Sequence, residues 1–92
     1  MKATAELQVL PLGEGVSVRP QVRRVVELLG EHDFILETHA AGTNIEGELD
    51  EILAAVKRVH EVMHAEGSVR LLSYLKIETR TDKETTLAGK RL

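Results

Sequence analysis

The 92-residue sequence predicts an α+β fold in which strands and helices follow one another in the order β-α-β-β-α-β. Three observations lead to this prediction. The chain contains two amphipathic helical patterns, each lies between two extended apolar segments, and only a short turn separates the second extended segment from the third. The pattern therefore indicates two β-α-β units joined through a hairpin.

The first extended segment covers residues 3–10. Apolar side chains at Ala5, Leu7 and Val9 alternate with polar ones, which is the period-two pattern of a strand with one buried face. Pro11 is predicted to end this strand because proline has no backbone N–H to donate to a neighbouring strand.

The first helical pattern begins near Ser17, a suitable N-cap residue, and Pro20 fits the first turn. Four apolar residues recur at intervals of three and four and share one helical face: Val22, Val25, Val26 and Leu29. Gly30 is predicted to end the helix. Residues 34–39 and 43–47 then read as a second and a third strand, which form a hairpin across three small residues.

The second helix has acidic residues in its first turn, where negative charge stabilises the helix dipole, and Gly67 marks its end. Its apolar stripe consists of Leu49, Ile52, Leu53, Val56, Val59 and Met63. Residues 69–79 are rich in aliphatic side chains and alternate again, which predicts the fourth strand.

Right-handed crossovers allow the two β-α-β units to interleave into one four-stranded antiparallel sheet with both helices on the same face. This is a ferredoxin-like sandwich, followed here by a short C-terminal helix or tail. We call the other side of the sheet the open face. Its predicted residues are Glu6, Gln8, Leu10, Ile35, Glu37, His39, Asn44, Glu46, Leu72, Tyr74 and Lys76. The open face carries more apolar side chains than an ordinary solvent-exposed face and more polar side chains than a core. We therefore treat it as the candidate interaction surface.

Length and composition predict one domain over residues 1–92, because a chain of this size with 42% hydrophobic residues encloses a single core. Phe34 and Tyr74 are its only aromatic residues, so we expect a homodimer or homotetramer to bury further surface. The chain has no cysteine and shows no signal peptide or membrane span, which favours a cytoplasmic location. A net charge of −3 with dispersed basic residues argues against nucleic-acid binding.

His60, Glu61 and His64 match H-E-x-x-H, the helical motif in which two histidines bind zinc and the glutamate acts as a base. However, Val59 and Met63 in the same stretch belong to the apolar stripe, and a catalytic zinc needs a third protein ligand and a substrate cleft. We therefore expect two partly exposed helix histidines and no metal site.

The run from Gly13 to Arg19 contains Gly-Val-x-x-Arg, which resembles the phosphate loop of acylphosphatases. Members of that family also use a catalytic asparagine on the second strand, and residues 34–39 contain none. An acylphosphatase-like hydrolase is therefore a distant alternative, and we expect no catalytic residues. RNA recognition on this topology uses aromatic side chains on the central strands, which are missing here.

Three separated blocks of the sequence together resemble the small thiamine-binding protein family. They are Ala-Glu-Leu at 5–7 with Pro-Leu-Gly at 11–13, Gly-Thr-Asn-Ile-Glu-Gly-Glu at 42–48, and Lys-Ile-Glu-Thr-Arg-Thr-Asp-Lys at 76–83. The resemblance covers nearly the whole chain. It implies a ferredoxin-like fold, dimers that join their sheets edge to edge, tetramers that pack sheet faces, and binding of thiamine or its hydroxymethylpyrimidine part without catalysis or a cofactor.

The candidate ligand-binding residues are Gln8, Glu37, Thr43, Asn44, Glu46 and Tyr74. A thiamine cation carries a positive thiazolium and an aminopyrimidine, so it needs carboxylate acceptors, amide or hydroxyl groups and a ring to stack on. Alternatives stay open. The same polar groups could form a network between subunits in an assembly module without ligand. Thr43 and Ile45 could instead face the helices, and a one-residue slip in the strand phase would exchange the whole list of open-face residues.

Overall fold

The computed structural model describes residues 1–91, which form one antiparallel sheet, two α-helices and a short 3-10 helix. The elements are β1 (Lys2–Leu12), α1 (Arg19–Leu29), β2 (Ile35–His39), β3 (Gly42–Glu48), α2 (Leu49–Ala65), β4 (Arg70–Glu78) and the 3-10 helix (Ala88–Lys90). The strand order is β2-β3-β1-β4, with every pair antiparallel. The predicted fold class and the β-α-β-β-α-β order are therefore confirmed. No helix within residues 1–91 is long and apolar enough to cross a membrane.

The register of β1 fixes which residues share a face of the sheet. Glu6 on β1 pairs with Asn44 on β3 and with Lys76 on β4, and Asn44 pairs in turn with Glu37 on β2. Since successive side chains of a strand point to opposite sides, all residues assigned to the open face from the sequence lie on one side. The predicted strand phase is therefore confirmed.

The core lies between the two helices and the other side of the sheet, and it is aliphatic as predicted. Its largest fully buried side chains are Leu28, Leu29, Ile45, Ile52 and Val59. Phe34 packs beside this core against Gly47, where a Cβ atom would come within 2.5 Å of the Phe34 ring. Glycine at position 47 thus lets the aromatic ring approach the strand backbone.

Most predicted strand ends differ from the observed ones by one residue, but the predicted end of β1 and the predicted N-cap of α1 are wrong. β1 continues through Pro11, which pairs with Leu71 of β4. Because β3 flanks β1 only as far as Leu7, the missing N–H of the proline falls where one side of the strand has no partner. α1 begins one residue later than predicted, because Val18 is the N-cap residue and its carbonyl accepts the N–H of Val22. Ser17 therefore does not cap the helix.

The chain after β4 forms more than a tail. Residues 79–91, which we call the C-terminal segment, fold back onto the open face, where Thr85 and Leu87 are 3% and 7% exposed. The predicted short helix is present as Ala88–Lys90. Part of the open face is therefore covered by the chain itself.

Candidate functional site

Hydrogen bonds hold the middle of the C-terminal segment on the sheet. At one level of the open face, Thr4 of β1 pairs with Glu46 of β3 and with Glu78 of β4. The Leu87 N–H donates to Glu46 Oε1 at 2.8 Å. The Thr85 hydroxyl donates to Glu78 Oε1 at 3.0 Å and lies 3.2 Å from the Thr4 hydroxyl. Burial of the Leu87 side chain adds roughly 1.5–3 kcal/mol of hydrophobic stabilisation.

Two ion pairs hold the end of the same segment. The Lys90 ammonium pairs with Glu78, and the Arg91 guanidinium pairs with Glu37 of β2. Hydrogen bonds from Lys90 and Thr85 hold the pKa of the Glu78 carboxyl below its ordinary value. Because Glu78 lies on β4 and Glu37 on β2, the segment spans the whole width of the sheet.

A cleft of about 590 Å³ lies between the C-terminal segment and the next level of the open face. We call it the sheet cleft. Its floor is a row of four polar side chains, one from each strand: Lys76, Glu6, Asn44 and Glu37. Its wall is formed by Leu87, Lys90 and Arg91. The volume falls within the roughly 300–1,000 Å³ of small-molecule sites, which also combine apolar surface with a few convergent polar groups.

The amide of Asn44 is oriented by His39 at one end of the sheet cleft. His39 Nδ1 accepts the N–H of Ala41 at 3.2 Å, so the ring N–H that can donate lies on Nε2. That nitrogen donates to Asn44 Oδ1 at 3.0 Å and lies 3.4 Å from Glu6 Oε2. With its oxygen engaged in this way, Asn44 keeps its amide N–H groups as donors for a ligand.

The structure brings two of the six candidate ligand-binding residues to the sheet cleft, namely Glu37 and Asn44. Glu46 lies beneath the C-terminal segment and is only 6% exposed. Gln8 and Tyr74 pair with each other further along the open face, outside the lining of the sheet cleft.

Thr43 lies on the helix side of the sheet. Its side chain is buried, and its hydroxyl is 3.3 Å from that of Thr38. The alternative orientation considered for Thr43 and Ile45 is therefore the observed one, because both residues alternate with the open-face residues Asn44 and Glu46.

Several groups at the site were not chosen from the sequence. Glu6 and Lys76 were placed on the open face but not among the ligand-binding residues. Leu87, Lys90 and Arg91 had no predicted role. The one sequence signal for them is the isolated apolar Leu87, which stands in an otherwise polar stretch and needs a surface to cover it.

The H-E-x-x-H histidines lie on the helix side, away from the sheet cleft. His60 Nε2 is 2.6 Å from the Ser73 hydroxyl, and His64 Nδ1 donates to the Ser68 carbonyl at 2.8 Å. Within residues 1–91, no three histidine, cysteine, aspartate or glutamate side chains are placed to hold a metal ion. Each histidine therefore has a structural partner of its own.

Comparison with known proteins connects the chain to one family. The family model described as "Thiamine-binding protein" matches residues 5–91. The UPF0045 protein MJ1052 of Methanocaldococcus jannaschii is 43% identical over 89 residues, which cover 97% of this chain and 88% of that protein. A UPF0045 protein of Synechocystis is 44% identical over 90 residues, which cover 98% of this chain and 74% of the relative.

Solved structures show the same fold. A crystal structure of the M. jannaschii protein MJ1052 matches with a TM-score of 0.90 and covers 97% of this chain and 91% of that one. A "putative thiamine biosynthesis/salvage protein" of Thermotoga maritima matches with a TM-score of 0.88, covering 98% and 95% of the two chains. Because the two sequences are only 23% identical, this second match shows a shared fold and nothing about function.

Proposed function

Because the chain belongs to the thiamine-binding protein family, we propose that it is a non-catalytic protein that binds thiamine, or a ligand with the same hydroxymethylpyrimidine part, in the sheet cleft. The observation that carries this proposal is the floor of the cleft, to which each strand contributes one polar side chain. Such a row is held by the whole sheet, so its spacing is fixed before a ligand arrives.

The floor offers the groups that an aminopyrimidine needs. Its exocyclic amine can donate to the Glu6 carboxylate, and its ring nitrogens can accept from the Asn44 amide, whose orientation His39 fixes. The positive thiazolium ring favours a nearby carboxylate, and Glu37 at the other end of the row is the candidate. Charge-assisted hydrogen bonds of this kind are stronger than neutral ones.

Tyr74 would extend the site along the open face. Tyr74 is 58% exposed, and it stands opposite Gln8 on the neighbouring strand. A tyrosine ring can stack on an aromatic ligand or contact a cation through its face. We therefore keep Tyr74 and Gln8 in the proposed site as an outer part that lies beyond the sheet cleft.

The binding site is proposed to lie at an interface between subunits of a homodimer or homotetramer. Three large hydrophobic residues on the open face remain exposed although the C-terminal segment covers part of that face: Ile35, Leu72 and Tyr74. In addition, β2 and β4 are the outer strands of the sheet, so each has an edge with unpaired backbone groups. A second copy of the chain can cover both kinds of surface.

The same exposed apolar residues favour one alternative, an assembly module whose open face joins subunits without a ligand. A thermal-shift series with thiamine, its phosphate esters and hydroxymethylpyrimidine separates the two proposals. A ligand that binds only the folded protein raises its melting temperature with concentration. We expect such a rise for at least one of these compounds, whereas unchanged melting temperatures with all of them would favour the assembly module.

Calorimetric titration of variants then tests the position of the site. Glu6→Gln keeps the side-chain shape and removes one charge, so it should weaken thiamine binding about ten- to a hundredfold if a charge-assisted hydrogen bond of roughly 1.5–3 kcal/mol is lost. Glu61→Gln is the matched control, because Glu61 lies on α2, on the helix side of the sheet. Equal affinities of the two variants would show that thiamine is bound elsewhere.

A further inference from the structure

The carboxylates that line the sheet cleft are not equally available to a ligand. Glu37 is paired with Arg91, and Glu78 is paired with Lys90. Glu6 instead has no lysine or arginine partner among the residues that the structure describes, and its Oε2 atom lies 3.4 Å from His39 Nε2. A positively charged ligand therefore meets one carboxylate without a lysine or arginine partner in the described part of the chain and two that already have such partners.

The cations of the sheet cleft are distributed differently. Within residues 1–91, Lys76 on the floor makes no ion pair, although it stands beside Glu6 in the sheet register. Lys90 and Arg91 form the opposite wall. A ligand with an anionic group would thus find one lysine without a carboxylate partner and two further cations at the rim.

The fold determines where Arg91 stands. Leu87 is anchored by its buried side chain and by its hydrogen bond to Glu46, and the Leu87 carbonyl accepts the N–H of Lys90 at 3.0 Å. The turn continues with the N–H of Arg91, which donates to the Ala88 carbonyl at 3.3 Å. This single helical turn directs the Arg91 side chain toward Glu37 on the far strand.

We propose that Arg91 determines which charge form of the ligand the sheet cleft accepts, because it competes with a cationic ligand for Glu37 and attracts a phosphate ester of the same compound. This inference rests on the proposed function of the cleft. The Arg91 side chain is 66% exposed and that of Glu37 is 31% exposed. An ion pair so open to water has little net stability and can therefore exchange its partner.

The chemistry of arginine fits both parts of this role. Its planar guanidinium binds carboxylate and phosphate oxygens through two parallel hydrogen bonds, so the same side chain can pair with Glu37 or with a ligand phosphate. Lys76 and Lys90 flank the same space and add positive charge for the second case. Unphosphorylated thiamine has only the positive thiazolium charge and gains nothing from these cations.

The test compares thiamine with thiamine diphosphate by calorimetric titration of the full chain. Arg91→Gln should bind thiamine about three- to tenfold more tightly and thiamine diphosphate about three- to tenfold more weakly, as expected for loss of a partly exposed charge. Arg80→Gln is the matched control. Arg80 belongs to the same segment but pairs with Asp82 and does not line the sheet cleft, so both affinities should stay unchanged.

A double substitution shows whether Arg91 acts through Glu37. In a Glu37→Gln background, Arg91→Gln should no longer strengthen thiamine binding, because the carboxylate for which the two cations compete is gone. A gain that persists in this background would contradict the proposed competition.

The outcomes separate this inference from the proposed function. If both ligands bind and Arg91→Gln leaves their affinity ratio unchanged, the role of Arg91 is refuted while the binding function stands. If the wild-type protein and all variants bind neither ligand, the proposed function fails and the role of Arg91 fails with it.

Discussion

At the scale of single residues, Glu46 anchors the C-terminal segment from beneath it. Its side chain is 7% exposed, its Oε1 atom accepts the Leu87 N–H, and its other oxygen lies 3.7 Å from the Lys2 ammonium. A carboxylate with these partners stabilises the covered part of the open face and does not point into the sheet cleft. Its effect on a ligand is therefore indirect, through the position of the wall.

Removing this acceptor should destabilise the protein. In Glu46→Ala the buried Leu87 N–H loses its partner, and an unsatisfied buried donor costs about 1–3 kcal/mol of unfolding free energy. Chemical denaturation measures this loss. Glu48→Ala is the control on the same strand, where the side chain is 60% exposed, and its unfolding free energy should hardly change. Equal losses in the two variants would contradict the anchoring role.

Alternation along β3 predicts the face on which Glu46 lies, because side-chain direction in a strand is a local property of the backbone. The alternation does not predict that the C-terminal segment covers Glu46. The contact with Leu87 joins residues 41 positions apart in the chain, and no local pattern encodes it. For the same reason Glu37 and Asn44 were correctly placed on the open face, while the pairing of Glu37 with Arg91 was not foreseen.

At the scale of elements, the C-terminal segment depends on the charge of Glu78. The hydrogen bonds from Lys90 and Thr85 favour the ionised carboxyl, so the pKa of Glu78 is lower in the folded chain than its ordinary value of 4.5. The folded state then binds fewer protons, and its extra stability is present above that ordinary value. This stability is lost as the pH falls through the lowered pKa.

Acid should therefore loosen the C-terminal segment locally. Hydrogen exchange at the Leu87 amide, compared with that of a core amide such as Ile45, reports this opening. Corrected for the intrinsic pH dependence of exchange, the protection of Leu87 should fall as the pH drops below the ordinary value of 4.5 and through the lowered pKa of Glu78. In Glu78→Gln the protection should be low already at neutral pH. Protection of Leu87 that is independent of both changes would refute this linkage.

The regular elements were predictable because each is specified by its own periodicity. The boundaries that were wrong depend on neighbours outside the element. Pro11 remains in β1 because β4 still runs beside it where β3 has ended. Ser17 does not cap α1 because the first helical hydrogen bond begins at the Val18 carbonyl. Local patterns thus predict elements well and predict their ends less well.

At the scale of the whole molecule, the exposed apolar part of the open face predicts association. Leu72 is 42% exposed there, and Leu53 on α2 is similarly exposed at 48%. Light scattering of the wild-type protein should show a dimer or a tetramer. If the open face forms the interface, Leu72→Asp should shift the protein to a smaller species, because a charge without a partner is costly to bury.

Leu53→Asp is the control for this experiment, since it adds the same charge on the helix side, and it should leave the mass unchanged. A monomeric wild-type protein at micromolar concentration would contradict the expected assembly. A loss of mass in Leu53→Asp alone would place the interface on the helices.

The central claim, that the ligand binds in the sheet cleft, is tested most directly by the side-chain amide signals in an NMR titration with thiamine. The chain has three such groups, at Gln8, Gln21 and Asn44. Asn44 lies on the cleft floor, Gln8 lies further along the open face, and Gln21 lies on α1. We expect the Asn44 signals to shift most, those of Gln8 less, and those of Gln21 to stay in place. Saturating shifts at Gln21 with none at Asn44 would contradict the account.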